Sequence, residues 1–203
     1  MTAADDGVTD VWPKPERPHV APAAATPAAT EPLAQPAVPG RPTARFMRGH
    51  PAHWVALAFG AGLSPLAPGT VGTLWAWLVW ALLLAGLAPA AQGAVIGLGL
   101  LLGCWAATLT ARHLRSADPG AIVVDEVIAF WGVLWLVTPA GFWVQLVAFA
   151  LFRYFDAAKP GPVGWADRLL HDARGWRGGV GVMLDDLVAA FCTLLVIALW
   201  RVL

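Results

Sequence analysis

The sequence predicts an all-α, polytopic helical membrane protein. It has about four to five membrane helices, a site at the cytoplasmic face and a disordered N-terminal tail. Three observations predict this. Hydrophobic residues make up 58% of the 203 residues and charged residues only 13%, too little polar surface for a soluble domain of that length. Mean hydropathy is +0.64. The 12 Trp suit a chain that meets headgroup regions, where amphipathic rings settle.

Each element follows in order. Residues 1–45 hold nine of the 17 Pro and many Ala, with no apolar stretch of signal-peptide type. Such a segment cannot bury enough surface to fold and reads as a disordered tail; residues 46–203 form the membrane domain. HWVALAFGAGLSPLAPG, at 53–69, is too short and too rich in Gly and Pro to span, and reads as an interfacial or re-entrant loop. Segments 72–91 and 93–111 are uncharged and long enough to cross, since a span takes ~20 residues. Segment 121–138 qualifies marginally, 142–155 is short, and 186–203 qualifies.

The charges set an orientation. Arg41, Arg45 and Arg48 precede the first span, and Arg112 and Arg115 follow the second. Arg153, Lys159, Arg168, Arg174 and Arg177 lie between the fourth and fifth. The intervening loops carry no charge, so the basic loops and the N-terminus read as cytoplasmic. All eight acids beyond the tail (Asp118, Asp125, Glu126, Asp156, Asp167, Asp172, Asp185, Asp186) fall in or near the same end. Acids embedded beside a bilayer are costly and read as functional by default.

Four stretches carry chemistry. In AIVVDEVIAFW, Asp125 and Glu126 lead an apolar run. A carboxylate pair there would also balance a helix dipole, worth ~0.3–1 kcal/mol each. Burying both among apolar residues costs several times that unless a cation compensates. In GGVGVMLDD, Asp185 and Asp186 follow Gly178, Gly179 and Gly181. The glycines read as a loop whose N–H groups could approach an anion, and one Asp could cap the helix that follows. In FRYFDAAKP, Arg153, Asp156 and Lys159 share one helical face, with Pro160 ending the helix. They form either a surface ion-pair ladder or a carboxylate between two phosphate-binding cations. In GLSPLAPGTVGT, Ser64, Gly69, Thr70 and Thr73 either turn and cap the first span or offer donors to a phosphate at a helix N-terminus. His53 and His171 are weak acid–base candidates; His50 and His113 read as loop or helix-end residues. Cys104 and Cys192 read as small buried hydrophobes rather than a disulfide pair.

Hard oxygen ligands without a Cys/His cluster suit Mg²⁺ rather than Zn²⁺. Acids, Mg²⁺ and cations beside an apolar region point to chemistry on a phosphate whose tail lies in lipid. That leaves hydrolysis and transfer both open.

FGAGLSPLAPGTVGT, AIVVDEVIAFW, LFRYFDAAKP followed by ADR, and GGVGVMLDDLVAAF stand in the order found in the phosphatidylglycerophosphatase A family, which residues 51–200 resemble. The resemblance implies a multi-pass bacterial inner-membrane enzyme that uses Mg²⁺ to remove the terminal phosphate of phosphatidylglycerophosphate, giving phosphatidylglycerol. Its implied partners are that lipid and the membrane, with no nucleic acid and no evident protein partner. DARGWR, 172–177, departs from the family spacing as an insertion. On this reading Asp125, Glu126, Asp185 and Asp186 hold metal. Asp156, with Asp125, Lys159 and Arg153, is catalytic. Ser64, Thr70, Gly69, Arg168, Gly179 and Gly181 meet substrate. Other phosphatase signatures are missing from the sequence: DxDx[TV], Cys-x₅-Arg, and Lys-x₆-Arg-Pro. Two rivals remain. A headgroup transferase should show D-G-x₂-A-R, which is also missing. A cation transporter should carry acids deep in several spans or at both faces, whereas these gather at one end.

Overall fold

The computed structural model describes residues 41–115, 120–170 and 176–203. Asp118, His171, Asp172, Arg174 and all but the last few residues of the Pro-rich segment lie outside them. Among the described residues there are helices and no strands. Helix begins two residues before the expected start of the membrane domain at 46: α1 (Ala44–Arg48) is capped by Thr43, whose Oγ1 accepts from the Phe46 N–H. Arg41 donates to the Pro65 carbonyl at 2.6 Å.

The segment expected to be a loop is largely helical. It comprises α2 (Pro51–Ala56) and a tight turn over Ala58–Leu63, which is kinked in its first residues. Ala58, Phe59 and Gly60 all have left-handed φ at the kink. An L-residue there costs roughly 1–2 kcal/mol, so the surroundings hold the bend. They do so through backbone pairing: the Val123 N–H donates to the Ala56 carbonyl at 2.9 Å, clamping this segment over the start of α5.

The apolar segments follow as α3 (Pro68–Val79), continued by a wider turn over Trp80–Leu84, then α4 (Pro89–Leu114), α5 (Val124–Val137), α6 (Phe142–Ala158), α7 (Pro162–Leu170) and α8 (Trp176–Val202). Pro at the first position of α3 and α4 matches the site where a missing N–H costs nothing. Two of these helices, α4 and α8, are long and apolar enough to cross a membrane; α3 with its extension is shorter. α8 is already helical at Trp176, ten residues before the start expected at 186. The glycines 178, 179 and 181 lie inside α8 rather than in a loop.

α5 is the axis of the bundle. Nine of its residues are buried, including Phe130, Val133 and Leu134. It packs on α3, α4, α6 and α8. Around it α4 packs on α8, α8 on α6, and α6 lightly on α3, while α3 and α4 have little mutual contact. The ring is thus open on that side except where α2 packs on α4 and the Ala58–Leu63 turn packs on α3. Half-buried Trp131 donates to the Ala76 carbonyl, half-buried Trp77 to Gln145, and the buried Gln92 amide to the Leu84 carbonyl.

Gly179 explains the close approach of α8 to α4. A Cβ there would come within 2.0 Å of Thr108 Oγ1 and 2.7 Å of the Cys104 carbonyl. Gly179→Ala should therefore destabilise the protein by ~1–3 kcal/mol through overpacking, read as a lower midpoint in detergent-phase thermal unfolding.

At the α2 end three imidazoles gather. His53 pairs with His113 at 2.8 Å and with the Phe46 carbonyl at 2.9 Å, and its ring stacks on Phe46. His50 caps α2 by accepting from the Ala52 N–H. Burial holds the His53 pKa below its ordinary value; the Phe46 contact opposes this, and His113 and His50 reinforce it. The folded state then binds fewer protons than the unfolded chain, so this contribution is present above about pH 6.5 and lost below it. The melting temperature should fall on acidification from neutral pH, and less steeply in His53→Gln.

Candidate active site

Five elements converge at the end of the bundle where α5 begins. α5 contributes Asp125 and Glu126 in its first turn. α8 contributes Asp185 and Asp186 from its interior, a full two turns past its start, so neither caps it. α6 contributes Arg153 and Asp156 near its end, α3 contributes Gly69 and Thr73, and α7 contributes Asp167.

The structure sorts the acids into two groups. One ligand oxygen each from Asp125, Glu126 and Asp186 lie within 4.8 Å of one another. Asp125 and Asp186 are 7% and 3% exposed. Asp156 faces Asp186 and Glu126 closely enough to interact with both. Glu126 Oε2 and Asp186 Oδ1 are buried without a hydrogen-bond partner. Buried carboxylate oxygens left in that state are destabilising, and a hard cation would satisfy both. The oxygen-only donor set fits such an ion.

Asp185, expected among the metal ligands, is instead paired with a cation. Lys159 Nζ donates to Asp185 Oδ2 at 2.6 Å and to Asp167 Oδ1 at 2.5 Å. The cause is backbone geometry. Lys159 is the left-handed C-cap of α6, so its side chain leaves the helix face shared by Arg153 and Asp156 and turns toward α7 and α8. Partial burial works against the ammonium, but the bonds to Asp167 and Asp185 outweigh it and hold its pKa above the ordinary value.

Arg153 belongs with the first group. It pairs with Asp156, lies 3.8 Å from Glu126 Oε1 and reaches Thr73 Oγ1 at 3.5 Å. Its Nε is buried and unpartnered. Thr73 is fully buried and donates to the Gly69 carbonyl at 2.8 Å. Gly69 itself lets α3 press against this pair: a Cβ would come within 2.2 Å of Glu126 Oε1 and 3.1 Å of Arg153 Nη2.

Other expected residues stand further out. Thr70 is half-buried in the first turn of α3. Ser64 Oγ donates to the Leu66 carbonyl. Arg168 is exposed on α7. Gly179 packs against α4, and Gly181 lies within α8. His53 is tied into the imidazole cluster. Asp167 is the partner that sequence reading left without a role, and Thr73, read as a cap or a phosphate donor, instead bonds the Gly69 carbonyl and Arg153. Asp167 lies in the ADR stretch, but nothing in its spacing shows that it meets a lysine eight residues earlier.

A largely buried triad of carboxylates beside a guanidinium, at one end of an apolar helical bundle, fits the class of enzymes that act on phosphate beside apolar surface. The comparisons make it specific. The family model for phosphatidylglycerophosphatase A matches residues 54–201. The chain is 38% identical over 146 residues to Phosphatidylglycerophosphatase A of Escherichia coli (strain K12), covering 71% of this chain and 80% of that protein. It is 35% identical over 148 residues to the protein of the same name in Haemophilus influenzae, covering 73% and 87%. It is 36% identical over 154 residues to a Putative phosphatidylinositol-3-phosphatase of Bacteroides thetaiotaomicron, covering 72% and 91%. No solved structure matches. The chain belongs to the phosphatidylglycerophosphatase A family, and it is a phosphatase.

Proposed function

We propose that the enzyme hydrolyses the terminal phosphate of phosphatidylglycerophosphate, giving phosphatidylglycerol and inorganic phosphate, with Mg²⁺ as cofactor. The carrying observation is the Asp125, Glu126 and Asp186 cluster beside Arg153, with two of its buried oxygens unpartnered. The names of the Escherichia coli and Haemophilus influenzae relatives support the substrate. In this reading four to five helices cross a bacterial inner membrane, the N-terminus is inside and the acids face the cytoplasm.

Asp125, Glu126 and Asp186 would hold the cation. When bound, Mg²⁺ supplies charge neutralisation at the phosphoryl oxygens and acidifies the attacking water. Arg153, held by Asp156 and Thr73, orients the phosphate through its planar donor fork. Asp156 accepts the proton of the water as its oxygen bonds to phosphorus. The phosphorus–oxygen ester bond breaks, and the glycerol oxygen leaves with the proton that Asp156 returns. Lys159 neutralises Asp185 and keeps it from competing with the triad, while Asp167 fixes the ammonium. Gly69 and Thr70 offer N–H groups at the start of α3.

Asp167→Asn should lower kcat/KM by ~10–100-fold, the usual cost of losing a supporting partner. Asp167→Glu should recover part of the loss. The function is tested by phosphate release from phosphatidylglycerophosphate in detergent, with Mg²⁺ and with EDTA. Phosphatidylinositol 3-phosphate would be assayed alongside, as would cytidine monophosphate release from CDP-diacylglycerol. Mg²⁺-dependent release from the first lipid is the expected result. Folded protein that releases none, or that works only on one of the others, would overturn the assignment.

A further inference from the structure

The ring of helices around α5 is open between α3 and α4, and an apolar groove of about 510 Å³ fills the opening. Its floor is α5 (Val124, Ile128, Trp131) and its walls are α3 (Trp75, Val79) and α4 (Gly99). A second, smaller groove of about 280 Å³ runs along the outer side of α3, against Val71, Leu74 and Leu78. Ala58, Phe59 and Trp75 border both grooves, so Trp75 and the kinked turn divide them.

We propose that these two grooves seat the two acyl chains of the lipid substrate; the inference rests on the reading of this enzyme as a lipid phosphatase. Four observations carry it. The linings are apolar throughout, with no charged side chain. The floor of the larger groove from Val124 to Trp131 spans seven residues, ~10 Å along a helix. Beginning at the acidic end of the bundle, that length stays within one leaflet of a ~30 Å hydrocarbon core. Both grooves adjoin α3, and Gly69 in its first turn touches Glu126 and Arg153. Val71, two residues past Gly69, lines the smaller groove, so a headgroup at the acids and a chain against α3 share one helix turn. The divider is held in place by the left-handed Ala58 and Phe59 and by the clamp of Ala56 on Val123. A diacyl lipid would straddle Trp75, whereas a lyso-lipid or soluble glycerol phosphate would leave one or both grooves unfilled.

The test fills the larger groove from two walls, with Val79→Phe and Gly99→Phe, and compares dioleoyl with dihexanoyl phosphatidylglycerophosphate. KM for the dioleoyl lipid should rise ~10-fold with kcat kept, the mark of lost ground-state binding, while the dihexanoyl lipid is unaffected. Equal effects on both lipids, or none in either variant, would overturn the proposal. An independent readout uses phosphatidylglycerol with a photoreactive acyl chain in phosphatidylethanolamine–phosphatidylglycerol vesicles. Adducts should concentrate on Trp75 and Trp131 over the exposed Trp143 and Trp200, and unlabelled substrate should compete them away. Labelling needs no turnover. Uniform labelling therefore overturns the acyl seat by itself. Selective, competed labelling in protein that hydrolyses neither lipid upholds the seat and refutes the phosphatase substrate.

Discussion

Asp186→Asn should reduce phosphate release by roughly 10²–10³-fold, the scale of losing one preorganised charge contact in a transition state, while the protein stays folded. Asp186 is 3% exposed, and one of its oxygens has no partner in the protein. It also faces Asp156, Glu126 and Asp185. In the absence of a divalent cation this crowding of carboxylates is repulsive, so removing one charge relieves the fold. The EDTA-treated variant should therefore melt no lower than the EDTA-treated native protein. Cation binding is a second readout, independent of turnover. A ligand at 100 times its Kd stabilises by about 2.7 kcal/mol, so Mg²⁺ should raise the native midpoint and leave that of Asp186→Asn almost unmoved. A variant that keeps native turnover and native Mg²⁺ stabilisation would remove Asp186 from the site. A variant that fails to fold in EDTA would show that its carboxylate is structural.

Gly69→Ala should cost roughly 10²-fold in kcat, the effect of misplacing reacting groups by about an ångström. The added Cβ would stand 2.2 Å from Glu126 Oε1 and 3.2 Å from Arg153 Nη1. Both are the far ends of side chains, so they can yield without unfolding the backbone. Stability should consequently change by less than about 1 kcal/mol, within the ordinary range of single substitutions. The loss appears in the site, because Glu126 leaves the triad and Arg153 leaves its place beside Asp156 and Thr73. Phosphate release and thermal unfolding measured on the same sample separate the two effects. A large fall in stability with kcat retained among folded molecules would mean that Gly69 serves packing alone.

Much of this protein is legible in one dimension. Uncharged apolar runs announce the main helices, because burying charge in hydrocarbon is costly and nothing else compensates it. The gathering of acids at one end follows from the same rule, and so does the expectation that Asp125 and Glu126 need a cation. The order of the four motifs identifies the family without any structure. Helix boundaries are less legible. α8 already includes Gly178, Gly179 and Gly181, with Gly179 pressed against α4, whereas local sequence reads those glycines as a loop. The re-entrant segment likewise becomes α2 and a kinked turn because tertiary contacts hold left-handed residues that propensity disfavours.

By itself the sequence determined the all-α apolar architecture, the family and the pool of acids and cations from which the site is drawn. Tertiary structure alone decided how that pool is divided. Asp185 and Asp186 are adjacent in sequence, yet about 100° apart around a helix, so one meets Lys159 and the other meets Asp125 and Glu126. Lys159 can reach Asp167 and Asp185 only because its own backbone turns left-handed at the end of α6. The opening between α3 and α4 exists only because the ring around α5 does not close. Which charges pair, and where a chain can enter, depend on contacts between segments far apart in sequence, and no local pattern records those distances.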